Sequence, residues 1–298
     1  MSDLFAHTLP VLFTALLRMS AVAALCALAV MLLRAVLKKL GAPRGIVFLL
    51  WAVVLFRMIC PFSFESPAAV LSSEPLGLGW TDSVPAAPPA PAFTAPAAPS
   101  GAAAVPEASP APALPAVSPQ PEGARFSAAG VLSILWAAGL LALCCWTVLS
   151  YFRLKRRVDA AVRTADGAWE TDRIDSPFVL GFFPPKIYLP PGLSGDTRSY
   201  VLLHERAHIR RGDHIVKAAA FLALAVHWFN PVLWLAWVLA CRDMEAACDE
   251  SVLRRSGEDI RRGYSAALLA LASSRPVRTP LAFGENGVKG RIQGVLRW

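Results

Sequence analysis

The sequence predicts an α-helical membrane protein that carries an α+β domain on its cytosolic side, and three observations predict it. Apolar residues make up 55% of the 298-residue chain and charged residues 17%, with a mean hydropathy of +0.49; soluble domains average about 25% charged. Three apolar runs are long enough to cross a bilayer, which takes about 20 residues. After the third run the pattern changes to short apolar segments and helices bearing His, Glu, Asp and Arg. So little charge excludes a disordered or nucleic-acid-wrapping chain. The net charge of +8 is therefore read as membrane orientation, and no direct nucleic-acid partner is expected. Six cysteines without CxxC spacing make no disulfide framework; Cys26, Cys144 and Cys145 sit inside apolar runs as small hydrophobes.

The runs cover Leu9 to Leu33, Gly45 to Phe64 and Phe126 to Phe152. Arg34, Lys38, Lys39 and Arg44 follow the first, and Arg153, Lys155, Arg156 and Arg157 follow the third. Between Ser63 and Ala124 there is no Lys or Arg but five acids, Glu65, Glu74, Asp82, Glu107 and Glu122. Basic loops stay inside. The expected organisation is thus two N-terminal spans with a cytosolic basic loop (1–64), an extracellular Pro/Ala-rich linker (65–125), a third span (126–152) and a cytosolic domain (153–298), with the N-terminus outside. The linker holds 14 of the 25 prolines, a composition that favours extended chain over a core. A cleaved leader does not fit the first run, which lacks a basic start and is too long. Arg57 is close enough to the outer boundary to snorkel; Arg18 lies deeper and has no acid within the spans to pair with.

In the cytosolic segment, Pro177–Pro190 reads as two short strands broken by Gly181 and Pro184-Pro185. A helix follows over Ser194–Arg211, with Ser194 as N-cap and Val201, Leu202, Leu203 and Ala207 on its buried side. On it lies His204-Glu205-Arg206-Ala207-His208. Residues i and i+4 share a helix face, so two imidazoles can grip one Zn²⁺ at about 2.0–2.1 Å. Glu205, about 100° round the helix, reaches the water rather than the metal and suits a general base. Downstream, Glu245 and Asp249 are again one turn apart. Glu245 is the expected third metal ligand, completing a His₂Glu set with one open position. Asp249 is then placed to accept the free N–H of a ligating histidine. Cys248 and His227 are the competing third ligands.

One constraint tests this set. Ala218–Ala240 is apolar apart from His227 and Asn230 and could be a fourth span, but a crossing would part His204 and His208 from Glu245 by about 30 Å. Asn230 suits an N-cap and Pro231 the first helical position, so a helical hairpin is expected, its flanks packing on the sheet or dipping into the membrane surface. Asp213 is expected to cap the next helix or pair with Arg206, Arg210 or Arg211. His227 is expected to hold the Asn230 turn, with an oxyanion role as the alternative; Tyr264 is a second oxyanion candidate.

Taken together, Cys60-Pro61-Phe62-Ser63, SPFVLGFFPPKIYLP, HERAHIRRGDH, HWFNP and RDMEAACDE, in that order, resemble the BlaR/MecR-type antirepressor membrane zinc peptidases over most of the chain. The resemblance implies a gluzincin-like fold, His204, His208 and Glu245 as zinc ligands, Glu205 as base, and Asp249 orienting a ligand histidine. It also implies activation by an external signal, self-cleavage, and proteolytic inactivation of a cytosolic transcriptional repressor as partner and substrate. The CAAX prenyl proteases share similar helices and are the nearest alternative, beside quality-control membrane proteases and a non-catalytic transducer. Members that sense β-lactams have a further span and an SxxK sensor domain; none of the six lysines here (38, 39, 155, 186, 217, 289) has a serine three positions earlier. β-Lactam sensing by this chain is thus not expected, whether it is a fragment or takes its signal through the outer loop or a partner. The stretch Leu281–Ile292 is the expected place of self-cleavage.

Overall fold

The computed structural model describes residues 8–60, 128–193, 195–256, 259–272, 278–279, 282–283 and 288–297. In chain order it comprises α1 (Leu9–Lys39), α2 (Arg44–Leu49), α3 (Trp51–Ile59), α4 (Ala128–Arg157), β1 (Val162–Arg163), β2 (Trp169–Glu170), β3 (Phe178–Leu180), β4 (Lys186–Leu189), α5 (Gly195–Arg211), α6 (Asp213–Val226), α7 (Pro231–Arg255), α8 (Arg261–Ala272), β5 (Arg278–Thr279), β6 (Ala282–Phe283) and α9 (Val288–Leu296). The linker expected at 65–125, the N-cap Ser194 and part of the expected self-cleavage stretch lie outside the described residues.

Two helices, α1 and α4, are long and apolar enough to cross a membrane. Both are nearly all apolar around their circumference, and each ends in the basic residues that mark its boundary, Lys38-Lys39 and Lys155-Arg156-Arg157. The second expected span is interrupted. Leu50 separates α2 from α3, where the amide of Val53 turns to the Leu50 carbonyl, a three-residue step rather than a four-residue one. Near the end of α3 the Arg57 guanidinium bonds the Cys60 carbonyl at 2.8 Å, covering an otherwise unmatched acceptor. Arg18 is exposed on α1.

The apolar stretch between the two candidate motifs folds as a hairpin. Asn230 accepts the Val232 amide at 3.0 Å with Pro231 at the first helical position, and α7 runs back from there. The hairpin packs on other helices instead of on the sheet. Phe221, Leu224, Leu233, Ala236 and Trp237 form one buried cluster with Ala23, Ala27 and Val30 of α1 and Trp51, Val54 and Met58 of α3. Its tip is tied to three other helices: Asn230 Nδ2 donates to Ser20 Oγ at 2.8 Å, Trp136 Nε1 donates to the Val226 carbonyl at 2.9 Å, and His227 Nε2 is 3.2 Å from the Met58 carbonyl. Gly139 of α4 allows the close approach, since a Cβ there would lie 2.4 Å from the Trp228 ring. The reason is the apolar all-round character of α6 and the first half of α7, which a small four-stranded sheet cannot cover but a helix bundle can.

The sheet has the order β1-β2-β4-β3. β3 and β4 are the two strands expected from Pro177–Pro190, antiparallel with Val179 opposite Ile187, and Gly181 (φ +94) turns the chain between them. β4 supplies the buried Ile187, Tyr188 and Leu189, and Ile187 and Leu189 pack on Val201 and Leu202 of α5. Leu203, expected on that buried side, is 37% exposed because it points about 100° away from Leu202. A separate cluster of Ala207, Cys248, Val252, Leu253, Tyr264, Leu268 and Val295 locks α5, α7, α8 and α9 together. That four-helix contact carries the side chains of the site apart from Asp213, which α6 supplies.

Candidate metal centre

Positioning begins at the ends of α5 and α7. Gly212 adopts φ +70 between α5 and α6, so α6 can start at once with Asp213 beneath the last turn of α5. Asp213 Oδ2 lies 2.7 Å from His208 Nδ1, and Arg211 Nε is 3.0 Å from the same oxygen. The pairing with Arg211 was readable from proximity in sequence; the contact with His208 was not considered, although a carboxylate five residues on from a ligand histidine is a signal that could have found it.

His204 is held differently. Its Nδ1 is 2.8 Å from the Tyr264 hydroxyl, which donates in turn to Asp249 Oδ1 at 2.7 Å; Asp249 Oδ1 itself is 3.4 Å from Nδ1. Asp249 thus reaches the histidine chiefly through Tyr264. With each Nδ1 facing an acceptor, each imidazole presents the lone pair of Nε2 to the space between the helices.

Three donors converge there. His204 Nε2 and His208 Nε2 are 3.1 Å apart, and Glu245 Oε2 is 3.4 Å from the first and 3.6 Å from the second. Ligands about 2.0–2.1 Å from a shared tetrahedral centre stand about 3.3–3.4 Å apart, so these spacings fit one metal ion. The Cys248 thiol offers another set, with its sulfur and the two histidine nitrogens all within 4.8 Å of one another. Glu245 Oε2 meets both edges, and the buried Cys248 thiol also reaches both imidazoles besides facing the His204 carbonyl at 3.7 Å. His227, the other competitor, lies at the hairpin tip against Met58 and does not join the group. Nor does Tyr264 face outward as an oxyanion donor would: it is 1% exposed and spent on His204 and Asp249. Glu205 is half-buried, next to His204 on α5.

Arg291, on α9, belongs to no motif. It is 8% exposed and forks onto Asp249, Nε to Oδ2 at 2.9 Å and Nη2 to Oδ1 at 2.8 Å. Its Nη1 stands 3.4 Å from Glu245 Oε2 and Nη2 3.2 Å from His204 Nε2. Burial resists ionisation of Glu245, but His208 and Arg291 override it and hold the carboxyl well below the ordinary range. Asp249 is held down likewise, burial opposing and Arg291 prevailing. Burial also disfavours the charged form of His204, yet Cys248 and Glu245 beside it push its pKa up to about 10. The carboxylates keep their charge and the whole cluster favours a cation.

Removing Arg291 leaves the buried Asp249 and the half-buried Glu245 without their counter-charge, and breaking such a buried pair costs about 3–5 kcal/mol. Arg291→Ala is therefore expected to lower the denaturant midpoint by that margin, whereas Arg297→Ala, on the exposed end of the same segment, leaves it within about 0.5 kcal/mol of the parent.

Two histidines and a carboxylate from crossing helices, with a glutamate one helix step away, make a candidate metal-binding group. The chain belongs to the M56 family of BlaR1 peptidases, whose model matches residues 14–295. It is 34% identical over 103 residues to the regulatory protein BlaR1 of Bacillus licheniformis, a stretch covering 34% of this chain and 17% of that protein. It is 28% identical over 134 residues to the methicillin resistance mecR1 proteins of Staphylococcus aureus and Staphylococcus epidermidis, covering 41% of this chain and 23% of each relative. The matches thus span about a fifth of the length of these relatives.

Proposed function

We propose that the chain is a multi-pass, membrane-bound zinc endopeptidase of gluzincin-like fold that acts in signal transduction, cleaving a cytosolic transcriptional repressor and its own chain. The observation that carries the reading is the convergence of His204 Nε2, His208 Nε2 and Glu245 Oε2 at 3.1–3.6 Å. Membership of a peptidase family supports the reaction class, and the names of the BlaR1 and mecR1 relatives support a regulatory setting. The basic residues after α1 and α4 support a site on the cytosolic face, with the N-terminus outside.

A zinc ion bound by these donors supplies Lewis-acid polarisation of the scissile carbonyl and an attacking water whose pKa falls towards about 7. Glu205 would act as the base that takes a proton from the attacking water and returns it to the leaving amine nitrogen, so the proton would be conserved through the cut. Asp213 holds His208, and Tyr264 with Asp249 holds His204, so neither imidazole can turn its protonated nitrogen inward. Arg291 offsets the charge of Asp249 and Glu245 and keeps α9 closed over the donors.

The test is metal removal on the full chain in lipid nanodiscs. One zinc per chain is expected, with cleavage of a repressor substrate abolished by a chelator and restored by stoichiometric Zn²⁺. A chain that keeps its zinc and cuts nothing is a non-catalytic transducer. Cleavage of many membrane proteins but no soluble repressor is the behaviour of a CAAX-type or quality-control protease.

A further inference from the structure

Helix α7 has two working faces. Glu245, Cys248 and Asp249 look towards the histidines. Asp243 and Glu250, seven residues apart and so almost in line along the helix, look roughly the opposite way. Asp243 is 1% exposed, and its carboxylate is fully engaged by side chains of α1 and α3. Arg34 grips both oxygens, Nη2 reaching Oδ1 at 3.0 Å; Lys38 Nζ meets Oδ1 at 2.5 Å; and Trp51 Nε1 donates to Oδ2 at 3.0 Å. At the other end, Glu250 Oε2 accepts the backbone amides of Arg44 at 2.6 Å and Gly45 at 3.3 Å. Donors from the end of α1, the start of α2 and the start of α3 thus bolt the α7 segment that bears the third donor, on either side of residues 245–249.

We propose that Asp243 and Glu250 are positioning residues through which the α1–α3 segment sets the rotation and height of α7, and hence the placement of Glu245 against His204 and His208. This rests on the metallopeptidase reading above and adds the route by which the membrane segment governs it. An axial turn of a helix moves opposite faces together, so a shift of α1 or α2 that carries Asp243 with it carries Glu245 away from the imidazoles. The coupling needs no contact between the spans and the metal donors themselves, only a stiff helix between two charged anchors. A side chain such as Arg34 then affects metal binding although it touches no ligand.

The experiment measures Zn²⁺ affinity by competition with a chromophoric chelator, and the visible spectrum of the Co²⁺-substituted chain, on the full protein in nanodiscs. Arg34→Gln, Asp243→Asn and Glu250→Gln are each expected to weaken zinc binding about tenfold, the lower end of what residues supporting metal ligands contribute, and to alter the Co²⁺ bands. Arg34→Lys should recover most of the loss. Arg261→Gln, which removes an exposed ion pair on α8, should change neither readout. Asp243→Asn risks misfolding, so Arg34→Gln decides: wild-type zinc affinity and an unchanged Co²⁺ spectrum in that variant overturn the proposal, as does a loss that Arg34→Lys fails to restore. His204→Ala separates the two layers. If it loses zinc and cleavage while Arg34→Gln loses neither, only the coupling fails; if it loses neither, the metallopeptidase reading fails and the coupling with it.

Discussion

Glu205→Gln is expected to keep one zinc per chain while peptide-bond cleavage falls about 100- to 10,000-fold, the contribution of a positioned general base. The separation follows from the geometry. The donors proposed to hold a metal are on His204, His208 and Glu245, and Glu205, half-buried on the next step of α5, is none of them. Glutamine keeps the volume and the helix propensity of glutamate but cannot take a proton. Single-turnover cleavage of a repressor substrate, paired with metal analysis of the same sample, measures both quantities. Near-parental cleavage with metal retained removes Glu205 from the mechanism; lost metal makes it a ligand instead.

The second large effect distinguishes the two candidate third donors. Glu245→Ala is expected to weaken zinc more than about 100-fold, above the range for supporting residues, and to abolish cleavage. With Glu245 as the third donor, Cys248→Ala should leave zinc affinity within a few-fold, although the fully buried sulfur stands beside both imidazoles as well as the His204 carbonyl. Its cost falls on stability, about 1 kcal/mol for a small loss of packed volume. The reversed outcome, with zinc lost in Cys248→Ala and kept in Glu245→Ala, hands the third position to the thiol.

Much of this arrangement was legible because its signals are local. The i, i+4 spacing of His204 and His208 and of Glu245 and Asp249 fixes which side chains share a helix face, and Asn230-Pro231 marks a helix start whatever surrounds it. What escaped depends on partners distant in sequence. β1 and β2 are two residues each and carry no period. Arg291 lies 42 residues beyond Asp249 with no motif of its own. Tyr264 could be named as a polar residue near the motifs, yet its direction, inward onto His204 rather than outward to a substrate, is decided by how α8 packs on α5, where Gly263 lets Tyr200 come close. The hairpin flanks show the same limit: hydropathy marks α6 and the first half of α7 for burial, and only the bundle reveals that α1 and α3 bury them.

That shared burial has a consequence for the order of assembly. The stretch joining the two histidine- and carboxylate-bearing helices has its greasy floor supplied by segments made some 200 residues earlier in the chain, so the last half of the molecule completes its packing only against the first helices.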